Sequence, residues 1–160
     1  MAYPFIPNIA AGRDVELAKR VIDGDPSTAR LRVSLWKLSG LPTEAALRDC
    51  ATVAAIASAG ATEADHTGYA RKAVTGAEIA ITTDNSSNRQ SWDITTDPEW
   101  AALGAAGGAI GLIVVSYDPN SSADSAQVPV YMNTVTFTPD GVVNYLHRWN
   151  ASGLGRSTPS

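Results

Sequence analysis

The stretch AIGLIVVSYDP, residues 109–119, decides the fold class. Its apolar residues do not alternate with polar ones: Ile110, Leu112, Ile113, Val114 and Val115 fall on both faces of an extended chain. A strand of this kind must be covered on both sides, and its β-branched side chains favour extended over helical backbone. The pattern predicts the central strand of a sheet, ended by the turn residues Asp118, Pro119 and Asn120. The run leading into it, WAALGAAGGAIGLIVVSY at 100–117, is interrupted by four glycines and bounded by Glu99 and Asp118, so it reads as a loop feeding that strand rather than as a membrane span.

The flanking sequence is β as well. In ARLRVSLWKL, residues 29–38, Leu31, Val33 and Leu35 share one face while Arg30, Arg32 and Ser34 share the other, which predicts a strand with one wet side. YARKAVTGAEIAITTD (69–84) has a kink or turn at Gly76, NSSN (85–88) is a polar loop, and RQSWDIT (89–95) returns as a hairpin partner with Trp92 and Ile94 inward. In DPEW (97–100), Asp97 as a cap and Pro98 at a first helical position predict a single helical turn presenting Trp100. VPVYMNTVTFT (128–138), the TPDG turn and VVNYLHRW (142–149) predict a last hairpin.

Helical signals are fewer. LPTEAALRDCATVAAIASAG (41–60) reads as one long helix over about 43–59, with Thr43 as N-cap, Leu47, Cys50, Ala54 and Ala57 on one stripe, and Gly60 at its end. Arg13 to Ile22 carries Val15, Leu17, Val21 and Ile22 among charges and predicts a short helix. The whole reads as a mostly β or α+β chain: an N-terminal arm at 1–12, one antiparallel, sandwich-like domain of about six or seven strands at 13–150, and a flexible C-terminal tail at 151–160.

Composition narrows the function classes. One core is expected at 160 residues, and a net charge of −4 with cations dispersed among acids leaves no basic stripe of the kind nucleic acid requires. The single cysteine, Cys50, excludes an internal disulfide framework and suits a reducing cytoplasm; on the helical stripe it reads as a small core residue. The opening MAYPFIPNIA has two prolines and no cationic region, unlike an export signal, so neither export nor membrane is expected.

Constellations with chemistry are absent from the pattern. His66 and His147 stand far apart without ligand-spaced neighbours, and DHT at 65–67 lacks a nucleophile elbow. The oxygen-rich loops DNSSN (84–88) and DPNSSAD (118–124) lack the glycine and terminal glutamate of a calcium loop. No catalytic, cofactor-binding or metal residue is assigned. Trp36, Trp92, Trp100 and Trp149 could line a sugar- or peptide-binding face, but large aromatics more often build a core.

Two features face outward. Tyr3, Phe5, Ile6 and Ile9 of the arm cannot satisfy one another in an extended segment and need a partner, either the domain's own core or an adjacent subunit. In HTGYARKAV (66–74), Arg71 and Lys72 are adjacent on a strand, so the pleat sends them to opposite faces and they cannot form one anion clamp. One is expected to face solvent or an interface, the other to pair with an acid such as Asp65 or Glu78.

The succession LRDCATVAAI, HTGYARKAV, NRQSWDITTDPEWAALG, IGLIVVSYDP and VPVYMNTVTFTPDG, spanning about residues 29–142, resembles a group of small virion structural proteins of tailed bacteriophages. The resemblance implies a non-enzymatic component of the particle without cofactor: a head decoration (cement) protein or the base of a head fibre. Its partner would be the major capsid protein, and its place the head surface after folding in the host cytoplasm. Self-association would be trimeric at lattice threefold axes, with Tyr3, Phe5, Ile6, Ile9, Arg71 and Lys72 as inter-subunit contacts. A tail-associated adaptor or glycan-contacting receptor-binding module is the alternative, and a small hydrolase a third.

Overall fold

A computed structural model of the chain describes residues 4–120, 123–149 and 154–157. In chain order the elements are α1 (Asp14–Asp23), β1 (Arg30–Lys37), α2 (Glu44–Arg48), α3 (Val53–Ser58), β2 (Lys72–Val74), β3 (Ile79–Asp84), β4 (Arg89–Ile94), β5 (Glu99–Trp100), β6 (Ile110–Asp118), β7 (Val128–Phe137), β8 (Tyr145–Leu146) and β9 (Gly155–Ser157). Every strand pairing is antiparallel. The class is therefore mostly β with a few short helices.

β6 lies between β1 and β7 in a four-stranded sheet of order β2-β1-β6-β7, and each of its residues is buried. Its apolar side chains divide between two cores. Ile110, Ile113, Val115 and Tyr117 meet α1 and the β3-β4 hairpin, while Leu112 and Val114 meet α2, α3 and Phe5. The division depends on a register shift at Gly111. A Cβ there would stand 2.6 Å from the Leu38 Cα, so only glycine lets β6 pass so close. Both faces of this sheet are covered, which is the physical reason for an unbroken apolar run.

β1 holds Leu31, Val33 and Leu35 in the first core. Its other face is not wet throughout: Ser34 and Trp36 are buried under α2 and α3, with Trp36 Nε1 donating to Ser34 Oγ at 2.9 Å. The β3-β4 hairpin pairs Asp84 with Arg89 across the NSSN loop and turns Trp92 and Ile94 inward, as the pattern predicts. α1 ends at Gly24 in the left-handed conformation that glycine accepts.

Several expectations are corrected. The single helix at 43–59 is two short helices, because Thr52 turns extended and caps α3 by accepting the Ala55 N–H at 3.1 Å. The first amides of α3, Val53 and Ala54, donate to the carbonyls of Gln127 and Asp124, which anchors the returning loop. Thr43 does cap α2. DPEW forms no helical turn: Glu99 and Trp100 are extended and pair with β8, so β8 is the partner of β5 and not of β7. The six or seven strands expected become nine among the described residues, four of them only two or three residues long.

Both ends are tied to the domain, and for Phe5 and Ile6 the domain's own core is the one of the two expected partner surfaces that is found. Phe5 exchanges both backbone hydrogen bonds with Met132 on the edge of β7, at 2.8 and 2.9 Å, and is buried in the second core. Ile6 packs against the first core, so these two side chains find their partner surface within their own chain. Ile9 is exposed, and Tyr3 lies outside the described residues. The tail is not free throughout its length: Gly155–Ser157 pairs with Gln90–Trp92 of β4, while 151–153 and 158–160 lie outside the described residues.

Candidate functional site

Arg71 just precedes β2, where all five of its N–H donors are used. Nε and Nη2 donate to the Glu63 carboxylate at 2.7 and 2.6 Å; Nη1 and Nη2 donate to Asp124 at 2.6 and 2.8 Å; Nη1 also reaches Gln127 Oε1 at 3.4 Å. Two carboxylates therefore hold the guanidinium charge firmly in place, and it in turn keeps the Asp124 carboxyl below the ordinary range. Tyr69 joins the network by donating to Glu63 at 2.7 Å and accepting the Leu35 N–H, and burial with that neighbouring carboxylate pushes its phenol up.

Within its own chain Arg71 is therefore the cation of the pair that finds acids. The network also corrects its expected acid. Asp65 pairs with Lys37 at 2.8 Å, and Glu78 closes a capping box with Thr75. Lys72 points elsewhere, its ammonium 5.8 Å from the Trp100 ring centroid. The strand end after YDP is likewise structural: Asp118 is wholly buried and accepts from Arg32 Nε at 3.1 Å.

The two histidines do not converge on a carboxylate and nucleophile. His66 Nε2 donates to the Gly108 carbonyl at 2.9 Å, in a slot where glycine at 107 leaves room for the ring. His147 Nδ1 lies 3.1 Å from the Tyr145 hydroxyl, and burial pushes its imidazole down to about 4. Asp84, in the DNSSN loop, is occupied by the amides and hydroxyls of Ser86 and Ser87. Among the described residues no group of three His, Cys, Asp or Glu could hold a metal ion. Trp36, Trp92 and Trp100 are core residues, and Trp149 packs on Tyr131 and His147. No described helix is long and apolar enough to cross a membrane.

The most exposed large apolar side chains among the described residues stand together on one turn. Asp140 Oδ1 accepts the N–H groups of both Val142 and Val143, at 2.9 and 2.8 Å, fixing a turn that presents two β-branched side chains. They are 78% and 67% exposed, the highest among the described large apolar residues; Leu38, Leu146, Ile22 and Ile9 follow at 39–43%, of which Leu146 is the one beside this turn. The turn is tied to the loop after β5 by Gly141 N–H to the Leu103 carbonyl and by Ala102 N–H to Asn144 Oδ1. Ala101, Ala102, Ala105 and Ala106 are exposed along that loop. Between loop and turn lies a cavity of about 300 Å³ walled by Leu103, Phe137, Pro139, Val143 and Tyr145. The Phe137 and Tyr145 rings stack at 3.6 Å, which makes one wall flat and stiff.

Sequence reading missed this end by taking 142–149 as a strand of the last hairpin. The signal was available: consecutive residues of a strand point to opposite faces, so Val142 and Val143 could not both be buried against one core. Compared with known protein families, with characterised proteins and with solved structures, the chain matches none.

Proposed function

We propose that this chain is a non-enzymatic, sandwich-like structural subunit of a tailed-bacteriophage particle, a decoration protein that binds the outer surface of the head lattice. The observation that carries the reading is the division of labour between charge and apolar surface. The Arg71 guanidinium is saturated by groups of its own chain, while the most exposed apolar side chains stand on a rigid turn beside a cavity. Such a molecule is equipped to adhere rather than to react, since a rigid apolar contact loses little conformational entropy on docking.

The segments that resemble phage virion proteins serve this architecture. TGYARK supplies the Arg71 knot, DPEW brings Trp100 into the core, YDP ends β6 at the buried Asp118, and TPDG opens the exposed turn. Its partner would be the major capsid protein, and a place at threefold lattice axes would gather three copies. Burial of Phe5 shifts the expected contact from the N-terminal arm to the 101–106 and 139–146 end.

The test is electron microscopy of purified virions carrying the epitope-tagged chain, decorated with antibody fragments. Labels spread over the head surface support the proposal. Labels confined to the tail favour an adaptor role, and particles without label remove the virion assignment.

A further inference from the structure

The apolar end also specifies the chemistry of what docks there. We propose that the cavity between the 101–104 loop and the 137–145 turn receives an apolar side chain of a protein partner that carries Lys or Arg beside it. This deepens the reading of the chain as a binding subunit and rests on it only for the identity of the partner.

Size is the first argument. A cavity of about 300 Å³ lies at the bottom of the range for small-molecule pockets, roughly 300–1,000 Å³, and suits a side chain or two better than a cofactor. Five of its eight lining residues, Leu103, Phe137, Pro139, Val143 and Tyr145, are aliphatic or aromatic and Thr138, Asp140 and Asn144 are polar, so the centre of the inserted group is apolar.

Charge is the second. None of the described residues lining the cavity is a cation, whereas Asp140 stands on the rim. Asp140 uses Oδ1 for the turn amides, and those bonds hold its carboxyl ionised, well below the usual range. Glu99 lies one residue further out, joined to the lining Asn144 through Asn144 Nδ2 at 2.6 Å. Both carboxylates are exposed. An apolar centre with an acidic rim is complementary to an apolar side chain flanked by cations.

The same charges argue against a second copy of this chain. A twofold contact through this face would bring Asp140 and Glu99 of one copy against the same residues of the other, in a chain that already carries a net charge of −4.

The test uses the full chain and two acetylated, amidated tetrapeptides, Arg-Leu-Val-Lys and Glu-Leu-Val-Glu, titrated into the ¹⁵N-labelled protein at millimolar concentration and low salt. The basic peptide is expected to shift the amides of 101–104 and 138–146 saturably, and to bind about fivefold or more tightly than the acidic one. Glu99→Gln with Asp140→Asn should close that gap. Val143→Ser should weaken both peptides while leaving the amides of β1 and β6 in place, which shows that the fold survives. Equal affinities for the two peptides, no saturable shift at 138–146, or an unaffected Val143→Ser variant would overturn the proposal. So would shifts of the same amides on dilution of the protein alone, which would make the occupant another copy. Virion imaging is independent of these readouts, so failure of the particle assignment and failure of the cavity assignment are separable.

Discussion

Arg71 and Asp124 lie 53 positions apart and meet through two parallel hydrogen bonds of 2.6 and 2.8 Å, with Glu63 gripping the opposite edge of the same guanidinium. The contact ties the loop after β6 to the residue before β2, at opposite ends of the β2-β1-β6 pairing. Arg71 is one-fifth exposed and Asp124 about two-fifths, so the network is neither free surface charge nor a dry ion pair.

Arg71→Ala is therefore expected to cost about 1–3 kcal/mol in urea unfolding, between the values typical of exposed and buried pairs. Arg71→Lys should recover less than half of the loss, because an ammonium cannot bond two carboxylates edge-on. Full recovery by lysine would mean that charge alone matters and that the fork geometry is incidental.

Phe5→Ala tests whether the leading segment belongs to its own domain. Phe5 is 4% exposed, and the Arg48 guanidinium lies over its ring at 4.7 Å. Truncation should cost the isolated chain about 2–4 kcal/mol by leaving a cavity between β7 and α2. If the residue instead served a neighbouring copy, the purified chain would unfold at an unchanged denaturant concentration.

The strands with strict period-two or unbroken apolar patterns, β1, β3, β4 and β6, are legible in the sequence because one local rule, burial of alternate or successive side chains, decides them. What is not legible depends on distant partners. Glu99 and Trp100 become a strand because Tyr145 and Leu146 lie beside them, and the helix breaks at Thr52 because carbonyls of Asp124 and Gln127 wait for its first amides. The same limit hid the acids of Arg71. Nearness in sequence suggested Asp65 and Glu78, but the fold delivers Glu63 and, from across the chain, Asp124.

Gly155 lies over the buried pair formed by Asp14 and Trp92, whose Nε1 donates to Asp14 Oδ2 at 2.8 Å. A Cβ at 155 would overlap both partners of that bond. Gly155→Ala should release β9, with a loss of about 1–3 kcal/mol, a red shift of tryptophan emission and faster proteolysis near the C-terminus. A chain truncated after residue 153, which also loses the buried Leu154, should be destabilised at least as much as the variant. Wild-type stability in Gly155→Ala would mean that β9 does not bear on the pair.

His147 makes stability depend on pH. Burial pushes its pKa from 6.5 down to about 4, with Asp97 pulling weakly the other way, and its buried Nε2 has no partner. The unfolded chain therefore takes up this proton at a higher pH than the folded one. The contribution is complete above about pH 6.5 and is lost as pH falls toward 4, amounting to about 1–2 kcal/mol between pH 7 and pH 5. Asp14, whose carboxyl burial raises, acts in the opposite sense in acid, so the total slope mixes the two groups. The difference between wild type and His147→Gln isolates the histidine: urea midpoints should fall from pH 7 to pH 5 more in the wild type than in the variant. Parallel declines would show that folding does not shift the His147 pKa.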